Sequence, residues 1–389
     1  MTTVFQAALG TPGTHVFVVG VGAYTHLLGG ANPAQDTRGL GQLTSPPVSA
    51  KAVVDWFMAP QLNAGAVGFR NSERPLASVE ALIAAPQPVH VAAQHGALTL
   101  GGATLDEIRD GFNRWRTRLL SQPGSTGIFY FCGHGLRAGV QYALCQDVLR
   151  DEGLPWEKAF DVDATLFALS KEAQDCHIHF WIDTCRQVAA EMFLRAGRPW
   201  PLRDAEATLP TVERSHSVLW AAGEGRPAFA KENQQSRFTR ALLTSLSGFA
   251  GSQRYGSPWR VDAAELAAAV RELLRNENKT AERTQYSSFV DAGDGAAIVE
   301  LQGPPRVKVS LDLAPEHMRV HGEIYIQPCG PGAGAIAVHP CAQGAYVAEV
   351  QKGIYNLGVQ SPSGGFQSAV LSNEWVSPPI YDHTFEVTP

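Results

Sequence analysis

The sequence lacks the features of several protein classes. It has no apolar run near the roughly 20 residues that a membrane-spanning helix requires, and its first strongly apolar run, Val16–Val21, is far shorter. No basic segment precedes that run, since the first basic residue is Arg38, so we predict no secretory signal. We therefore expect a cytoplasmic protein that does not bind membranes.

Charge of either sign is also scarce. Charged residues make up 17% of the 389 residues, and 31 Lys and Arg against 37 Asp and Glu give a net charge of −6 at pH 7. The chain has no lysine-rich run. It therefore lacks the basic patches that attract nucleic acid, and we expect no nucleic-acid partner. The apolar share of 44% is enough for a hydrophobic core, which excludes general disorder.

Cysteine is too sparse for a disulfide scaffold, and its spacing does not favour a metal site. Six cysteines in this chain are typical of free thiols in a reducing compartment. No Cys-x-x-Cys pair is present, but cysteines and histidines gather around two predicted strand ends: Cys132, His134, Cys176, His177, His179 and Cys185. Because these spacings do not fit the usual zinc patterns, we predict no bound metal and no cofactor.

The first strand ends in glycines but does not form a dinucleotide-binding motif. Gly20 and Gly22 follow the apolar run, while Thr25 stands where the third glycine of that motif is required. A loop rich in glycine, asparagine and proline follows, where the motif requires a helix at once. A nucleotide-binding function is therefore disfavoured.

Strand and helix signals alternate up to about residue 300. Short apolar runs predict strands at 15–22, 78–84, 126–131, 177–182 and 217–222. Helical spacing predicts helices at 48–59, 104–121, 163–173, 238–248 and 262–276, with another beginning at Gln187. This alternation indicates an α/β fold, a doubly wound and mostly parallel sheet with helices on both faces.

The pattern changes after Gly303-Pro304-Pro305. No convincing helix follows, and β-prone runs separated by turn residues occur at 307–313, 323–326, 345–350, 355–359 and 367–371. Such spacing is typical of a small all-β sandwich. We therefore predict two domains, residues 1–302 and residues 303–389.

The strongest chemical signal is a histidine and a cysteine at two predicted strand ends. His134 follows the strand at 126–131, and Cys185 follows the strand at 177–182. In an open α/β sheet, ligands bind at the carboxyl ends of the strands, where neighbouring parallel strands bring their ends together. The predicted helix after Cys185 and a nearby imidazole would both favour the thiolate, the reactive form. The pair therefore predicts nucleophilic catalysis by a thiol and its base.

Five blocks of sequence carry a family resemblance: HVFVVGVGAY (15–24), SAKAVVDWF (49–57), FYFCGHG (129–135), FWIDTCR (180–186) and SRFTRALLTSL (236–246). With these the chain resembles the caspase-like cysteine peptidases, and within them the bacterial metacaspase-like group. His134 and Cys185 are 51 positions apart (185 − 134), close to the roughly 50 of caspases. The cysteine block lacks the Gln-Ala before and the Gly after that animal caspases have, and is closer to the metacaspase form.

The resemblance implies an organisation and a mechanism. Residues up to about 185 would correspond to a large subunit, 186–214 to a linker, and 215–302 to a small subunit. Cys185 would attack the scissile carbonyl of a protein or peptide substrate, and His134 would pass a proton to the leaving amine. The backbone N–H groups of Gly135 and Cys185 would hold the oxyanion.

The resemblance also implies a specificity. Asp36 and Asp183 match the acidic residues of the family's S1 pocket, the pocket for the side chain before the scissile bond (P1). Carboxylates favour a guanidinium or ammonium group there, which predicts cleavage after Arg or Lys. Arg38 and Arg186 lie nearby in sequence and leave the aspartate specificity of animal caspases open.

Regulation and biological role follow from the resemblance alone. The linker is often cut during activation in this family, so we expect a zymogen that is processed, by itself or by an upstream protease, at one of four arginines: Arg195, Arg198, Arg203 or Arg214. Calcium activates some metacaspases, but no carboxylate cluster in this sequence is assigned to it. The resemblance suggests a role in bacterial self-killing or antiphage defence. The alternative is a catalytically silent caspase-like scaffold that binds partners through its β-sandwich.

Overall fold

The computed structural model describes residues 2–7, 10–151, 153–173, 175–187, 199–204, 215–253, 257–291, 293, 295–330 and 336–388. The chain divides into two compact units, Met1–Leu246 with Val261–Glu300, and Ser247–Arg260 with Leu301–Pro389. The segment 247–260, which the sequence analysis placed in the first domain, groups with the second unit.

The strands up to residue 300 are β1 (Thr3–Gln6), β2 (Thr14–Val21), β3 (Leu76–Ala84), β4 (Val89–Ala93), β5 (Gly96–Leu100), β6 (Thr126–Cys132), β7 (Gly135–Ala138), β8 (Val140–Leu144), β9 (Ala159–Asp161), β10 (His177–Asp183), β11 (His216–Trp220), β12 (Arg260–Val261), β13 (Ser288–Asp291) and β14 (Val299–Glu300). The α-helices are α1 (Ser45–Leu62), α2 (Leu105–Leu120), α3 (Val162–Glu172), α4 (Arg237–Thr244) and α5 (Ala263–Asn278).

A seven-stranded sheet forms the centre of the first unit, in the order β1-β3-β2-β6-β10-β11-β13. The five inner strands run parallel, and the two edge strands are antiparallel to their neighbours. Every residue of β2, β3 and β6 is buried, as expected for strands that are covered on both faces. The prediction of a mostly parallel α/β sheet is confirmed.

Helices cover both faces of this sheet. A Cβ at Gly20 would lie 2.5 Å from the Cβ of Ala50 on α1, so only glycine lets α1 approach β2 this closely. Phe17, an odd number of residues away on the same strand, points to the opposite face and packs against Trp115 on α2, with ring centroids 6.4 Å apart. The sheet is therefore doubly wound.

Two helices carry the start signals that the sequence analysis used, although α1 begins at Ser45, three residues before the predicted start. Thr104 accepts the N–H of Glu107 and completes a capping box before α2, and two prolines occupy the first turn of α1. The helix predicted for 238–248 is shorter: α4 ends at Thr244 and one π-helical turn, Ser245–Phe249, follows. Gly248 has φ +106, a conformation that terminates regular helix. The helix predicted to begin at Gln187 lies, beyond that residue, outside the residues that the structure describes.

The second unit contains two facing sheets around one core. Its strands are β15 (Arg306–Ala314), β16 (Glu323–Pro328), β17 (Ala337–Pro340), β18 (Tyr346–Gln351), β19 (Gly353–Gln360), β20 (Ala369–Val376) and β21 (Ile380–Glu386). They form the sheets β18-β15-β21 and β17-β16-β19-β20. Alternate residues of β15 and of β19 enter the same hydrophobic cluster, which confirms the predicted sandwich. The sequence analysis missed β17 and β21, because polar residues interrupt their apolar pattern.

Candidate active site

The ends of two neighbouring strands place His134 and Cys185 beside the same cavity. β6 and β10 pair in parallel, with Cys132 opposite Asp183, so each candidate residue lies two positions beyond a paired strand end. Both residues line a cavity of about 330 Å³. The structure thus brings together the two side chains that the sequence placed at matching strand ends.

The imidazole of His134 is held from two sides. Its Nε2 lies 2.8 Å from the carbonyl oxygen of Gly41, and because a carbonyl only accepts, Nε2 carries the proton in this contact. The ring of Tyr24 packs against the imidazole at 5.0 Å between centroids, and the Tyr24 hydroxyl accepts the His134 backbone N–H at 2.7 Å. In neutral His134, Nδ1 is therefore the proton acceptor. Burial lowers the pKa of His134, and the Gly41 contact offsets only part of that shift.

The sulfur of Cys185 contacts the backbone of a neighbouring loop. Sγ accepts the N–H of Ala228 at 3.4 Å. Burial raises the pKa of the Cys185 thiol, and the nearby carboxyl of Asp183 adds to that rise, while the Ala228 N–H opposes it. The sequence led us to expect a lowered pKa, and this expectation is wrong for the described structure because burial outweighs the hydrogen bond. Within the described residues, no hydrogen bond joins the Cys185 sulfur to the His134 imidazole.

Gly135 allows the histidine loop to approach the cysteine loop. A Cβ at this position would lie 2.5 Å from the Cβ of Thr184 and 2.7 Å from Nε2 of Gln141. The same Gln141 amide donates to the Cys185 carbonyl at 3.0 Å and thereby links β8 to the cysteine segment. Gly135 pairs with Ala143 on β8, and the flanking bond from Leu144 N–H to the His134 carbonyl makes this a non-hydrogen-bonded pair. The N–H of Gly135 therefore points away from β8.

Asp183 lies at the wall of the cavity, and one of its two carboxylate oxygens accepts several hydrogen bonds. Its Oδ2 accepts from the hydroxyls of Thr239 (2.7 Å), Tyr130 (3.3 Å) and Ser236, and from the thiol of Cys132 at 3.4 Å. In the part of the chain that the structure describes, Oδ1 has no hydrogen-bond partner. Asp183 is 4% exposed and lines the cavity. Burial raises the pKa of its carboxyl, against the hydrogen bonds that lower it.

The structure does not bring Asp36 to this cavity. The side chain of Asp36 is 63% exposed and pairs with Arg38 at 3.1 Å. The stretch that does line the cavity from the same loop is Gln42–Pro46, at the start of α1. The carboxylate pair expected from the sequence is therefore not formed, because the chain between β2 and α1 turns Asp36 towards solvent.

The two arginines that left aspartate specificity as an alternative, Arg38 and Arg186, do not line the cavity either. Arg186 is buried, and its guanidinium packs over the ring of Trp220 at 4.5 Å and donates to Ser288. Arg38 forms the surface pair with Asp36. Neither arginine is among the described residues that line the cavity.

Only one of the four predicted processing sites can be placed. Arg195, Arg198 and Arg214 lie outside the described residues. Arg203 pairs with Glu172 on α3 at 2.8 Å.

The histidines and cysteines considered for zinc have other contacts. Nδ1 of His179 bonds to Ser217 at 2.8 Å, and Nδ1 of His177 bonds to Ser215 at 3.0 Å. All six cysteines are free thiols. Over the described ranges, no group of three or more His, Cys, Asp or Glu residues has a geometry that could hold a metal ion. Among the described residues, none of the helices has the length and hydropathy of a membrane span.

Comparison with known proteins decides the family. A family model described as "Caspase domain" matches residues 89–292, just over half of the chain and a range that includes His134 and Cys185. The chain belongs to the caspase-domain family. Caspase domains are cysteine peptidases, and the resemblance noted in the sequence is therefore confirmed at the level of the family.

Two further similarities accompany this match. The uncharacterized protein y4kE of Sinorhizobium fredii is 26% identical over 288 residues, which cover 71% of this chain and 82% of that protein. The crystal structure of caspase-1 from Spodoptera frugiperda superposes with a TM-score of 0.43 at 12% identity, covering 73% of this chain and 90% of that one.

Several residues of this site were missed by sequence reasoning. The sequence blocks that resemble the family do include three of them, Tyr24, Ser236 and Thr239. Their place in these blocks was the one sequence signal that could have marked them as site residues. Gly41 and Gln141 act through a backbone carbonyl and a side-chain amide, and nothing in their sequence context marks them.

Proposed function

We propose that Cys185 and His134 form the catalytic pair of a cysteine endopeptidase. The observation that carries this proposal is their position beside one cavity, at the ends of adjacent parallel strands, in a chain of the caspase-domain family. Acyl transfer by a thiol requires at least a nucleophilic sulfur and a general base beside it, and a thiol and an imidazole in one cavity meet this requirement.

In this proposal, the sulfur of Cys185 attacks the scissile carbonyl and forms the C–S bond. His134 accepts the thiol proton and passes it to the amine as the C–N bond breaks. Water then hydrolyses the thioester and regenerates the thiol. The N–H of Gly135, which points away from β8, stabilises the oxyanion together with the N–H of Cys185. The Gly41 carbonyl keeps Nε2 protonated, so Nδ1 is the nitrogen that exchanges the proton.

Asp183 supports a preference for Arg or Lys at P1. Its Oδ2 is saturated by hydroxyl and thiol donors, while Oδ1 is unpaired at the cavity wall. Burial disfavours the ionised form of the Asp183 carboxyl and so raises its pKa; an incoming guanidinium or ammonium group favours the ionised form and pairs with it. Asp36 does not contribute to this preference, so the specificity rests on a single carboxylate.

Activation and biological role complete the proposal. A zymogen cut within 186–214, at Arg195, Arg198, Arg203 or Arg214, fits an arginine-directed enzyme that processes itself or is processed by an upstream protease. At Arg203 the ion pair with Glu172 must open before cleavage. A cytoplasmic role in bacterial cell death or antiphage defence, and activation by calcium, are proposed on family resemblance alone.

The test is hydrolysis of fluorogenic peptides that differ only at P1, with Arg, Lys, Gln or Asp. Purified wild-type protein, with and without calcium, is compared with Cys185→Ala and His134→Ala. Cleavage of the Arg and Lys peptides, lost in both variants, supports the proposal. Cleavage after Asp contradicts the basic specificity. The absence of any hydrolysis by protein that has been processed within 186–214, with or without calcium, favours the scaffold alternative.

A further inference from the structure

A buried glutamine joins the two segments that carry the candidate catalytic residues. Gln141 lies on β8 and is fully buried, and the proposed mechanism gives it no role. Its side-chain nitrogen, Nε2, lies 3.0 Å from the Cys185 carbonyl oxygen, 3.3 Å from the Thr184 hydroxyl and 3.4 Å from the Tyr142 carbonyl oxygen. Because carbonyl oxygens only accept hydrogen bonds, the NH2 end of the amide faces the cysteine segment.

The oxygen of the same amide has no hydrogen-bond partner. Oε1 of Gln141 is buried, and within the described residues no donor reaches it. A buried polar atom without a partner lowers the stability of a fold, so stability alone does not explain a glutamine at this position. Side chains that break such a rule are expected at functional sites. The half-satisfied amide therefore directs attention to what its nitrogen holds.

The amide nitrogen holds the backbone around Cys185. The peptide group after Cys185 is fixed at both ends, its carbonyl by Gln141 and its N–H by the Arg226 carbonyl at 3.0 Å. The peptide group before Cys185 carries the N–H assigned to the oxyanion, and this N–H has no acceptor among the described residues. It lies between the two groups that Gln141 holds, the Thr184 hydroxyl and the Cys185 carbonyl. The two contacts therefore restrict the rotation of this N–H.

The second oxyanion donor touches the same amide. A Cβ at Gly135 would lie 2.7 Å from Nε2 of Gln141, so the histidine loop packs directly against it. The glutamine is itself anchored, because its backbone N–H donates to Oδ2 of Asp163 at 2.7 Å. One side chain on a fixed strand thus contacts both segments whose N–H groups face the oxyanion, and groups held in this way are preorganised for catalysis.

We propose that Gln141 is a positioning residue for the oxyanion hole, the pair of N–H groups of Gly135 and Cys185. Its amide keeps both donors directed at the carbonyl oxygen on which negative charge develops. Gln141 does not contact the substrate itself. This inference rests on the proposed peptidase function. Because the charge develops only in the transition state, the contribution of Gln141 is expected in kcat and not in KM.

The first test is Gln141→Met, which keeps the length of the side chain and removes the donor. With an Arg peptide, kcat is expected to fall about 10- to 100-fold at nearly constant KM, less than the roughly 10²–10³-fold cost of losing an oxyanion donor itself. Tm is expected to stay close to wild type, because one unpaired acceptor, Oε1, is exchanged for another, the Cys185 carbonyl. Gln94→Met, at an exposed glutamine of the β4–β5 turn, is the control and is expected to keep the wild-type kcat.

The second test separates the oxyanion hole from the thiol. The Cys185 thiol adds across the C=O bond of a peptidyl-arginine aldehyde, so that a C–S bond forms, the thiol proton is transferred and the oxygen occupies the oxyanion hole. Iodoacetamide instead loses iodide from a CH2 carbon as the C–S bond forms, and the thiol proton goes to water, so no oxyanion develops. In Gln141→Met, the Ki of the aldehyde is expected to rise by about the factor by which kcat falls. The rate of Cys185 alkylation is expected to match wild type.

A second variant, Gln141→Glu, keeps the shape of the side chain and changes its donor. A protonated carboxyl donates one hydrogen bond to the Cys185 carbonyl, whereas an ionised carboxylate donates none. The ratio of variant to wild-type kcat is therefore expected to rise as the pH is lowered. Because Glu has the size of Gln, this variant tests the proposal even if Gln141→Met does not fold.

The outcomes distinguish this inference from the proposed function. If processed wild type cleaves Arg peptides and Gln141→Met keeps its kcat, the positioning role is refuted while the peptidase proposal stands. A parallel fall in kcat and in the alkylation rate also contradicts the role, since the amide would then position the sulfur. A Gln141→Glu ratio that does not change with pH contradicts it as well. If processed wild type cleaves no Arg peptide, the peptidase proposal fails and this inference with it.

Discussion

Nε2 of His134 donates a hydrogen bond to the carbonyl oxygen of Gly41 at 2.8 Å. This contact fixes the tautomer of a neutral imidazole and leaves Nδ1 to exchange protons. In the proposed mechanism this backbone carbonyl takes the orienting role that a carboxylate has in catalytic triads. Because every residue has a backbone carbonyl, no substitution at residue 41 removes it. The side chain that can be tested is Tyr24, which packs against the same ring.

Tyr24→Phe is expected to lower kcat about tenfold with little change in KM. The substitution keeps the ring but removes the hydroxyl that accepts the His134 N–H, and an unpaired buried donor costs about 1–3 kcal/mol. Steady-state kinetics on an Arg peptide provides the measurement. Tyr286→Phe, at an exposed tyrosine, is the control. An unchanged kcat in Tyr24→Phe would show that the hydroxyl does not position the histidine.

Asp183→Asn is expected to abolish the preference for Arg over Gln at P1. The amide keeps an oxygen for Thr239 and Tyr130 but provides no charge for a guanidinium. Loss of one member of a buried ion pair costs about 3–5 kcal/mol, so kcat/KM for the Arg peptide falls by at least about 100-fold. The peptide with Gln at P1 is the internal control, and retained Arg preference contradicts the assignment.

Asp183→Asn is also expected to change how the stability of the fold depends on pH. Because burial raises the pKa of Asp183, its carboxyl stabilises the fold while it is protonated, and that stabilisation is lost as pH rises through the folded-state pKa. Asp183→Asn removes this loss. Thermal unfolding is therefore expected to give a higher Tm for the variant than for wild type in mildly alkaline buffer, with a smaller difference in acid. A variant that is equally destabilised at both pH values contradicts the raised pKa.

Gly135→Ala is expected to reduce both stability and activity. The added methyl group would overlap Thr184 and Gln141, and overpacking of this kind costs about 1–3 kcal/mol. Denaturant unfolding and kcat/KM give the two readouts. Gly101→Ala is the matched control, since a Cβ there meets nothing within 4 Å. Equal behaviour of the two variants would show that the histidine and cysteine loops are not in close contact.

The resting pair is expected to be a neutral thiol and a neutral imidazole. Burial raises the pKa of Cys185 and lowers that of His134, so neither group carries charge near neutral pH. The rate of alkylation of Cys185 by iodoacetamide should therefore keep rising with pH beyond the ordinary thiol pKa of about 8.5. Peptide mass spectrometry across a pH series measures this rate. A plateau below about pH 7 would reveal a thiolate–imidazolium pair and contradict this account.

The sequence was sufficient to predict the sheet and the two strand ends that carry the site. Buried apolar runs mark β6 and β10, and parallel pairing then requires His134 and Cys185 to meet at one edge. It was not sufficient for Asp36, because a long loop without periodicity does not reveal which of its residues turns inward. The raised pKa of Cys185 could not be predicted from the sequence either, since the burial of this thiol depends on packing between segments that are distant in the chain.

Gly41 illustrates the same limit. Its contribution is a carbonyl oxygen, which every residue has, and only the path of the loop places it near the imidazole. The Thr104 capping box shows the opposite case: the interaction is local, the residue types are specific, and the sequence therefore predicts it.

The most direct test of the central claim is labelling with a peptidyl-arginine acyloxymethyl ketone, followed by mass spectrometry of the intact protein and its peptides. A second cysteine, Cys132, lines the same cavity and provides a stringent internal comparison. We predict a single adduct on Cys185, absent in Cys185→Ala, slowed in His134→Ala and unchanged in site for Cys132→Ser. An adduct on Cys132, or none on Cys185, would contradict the account.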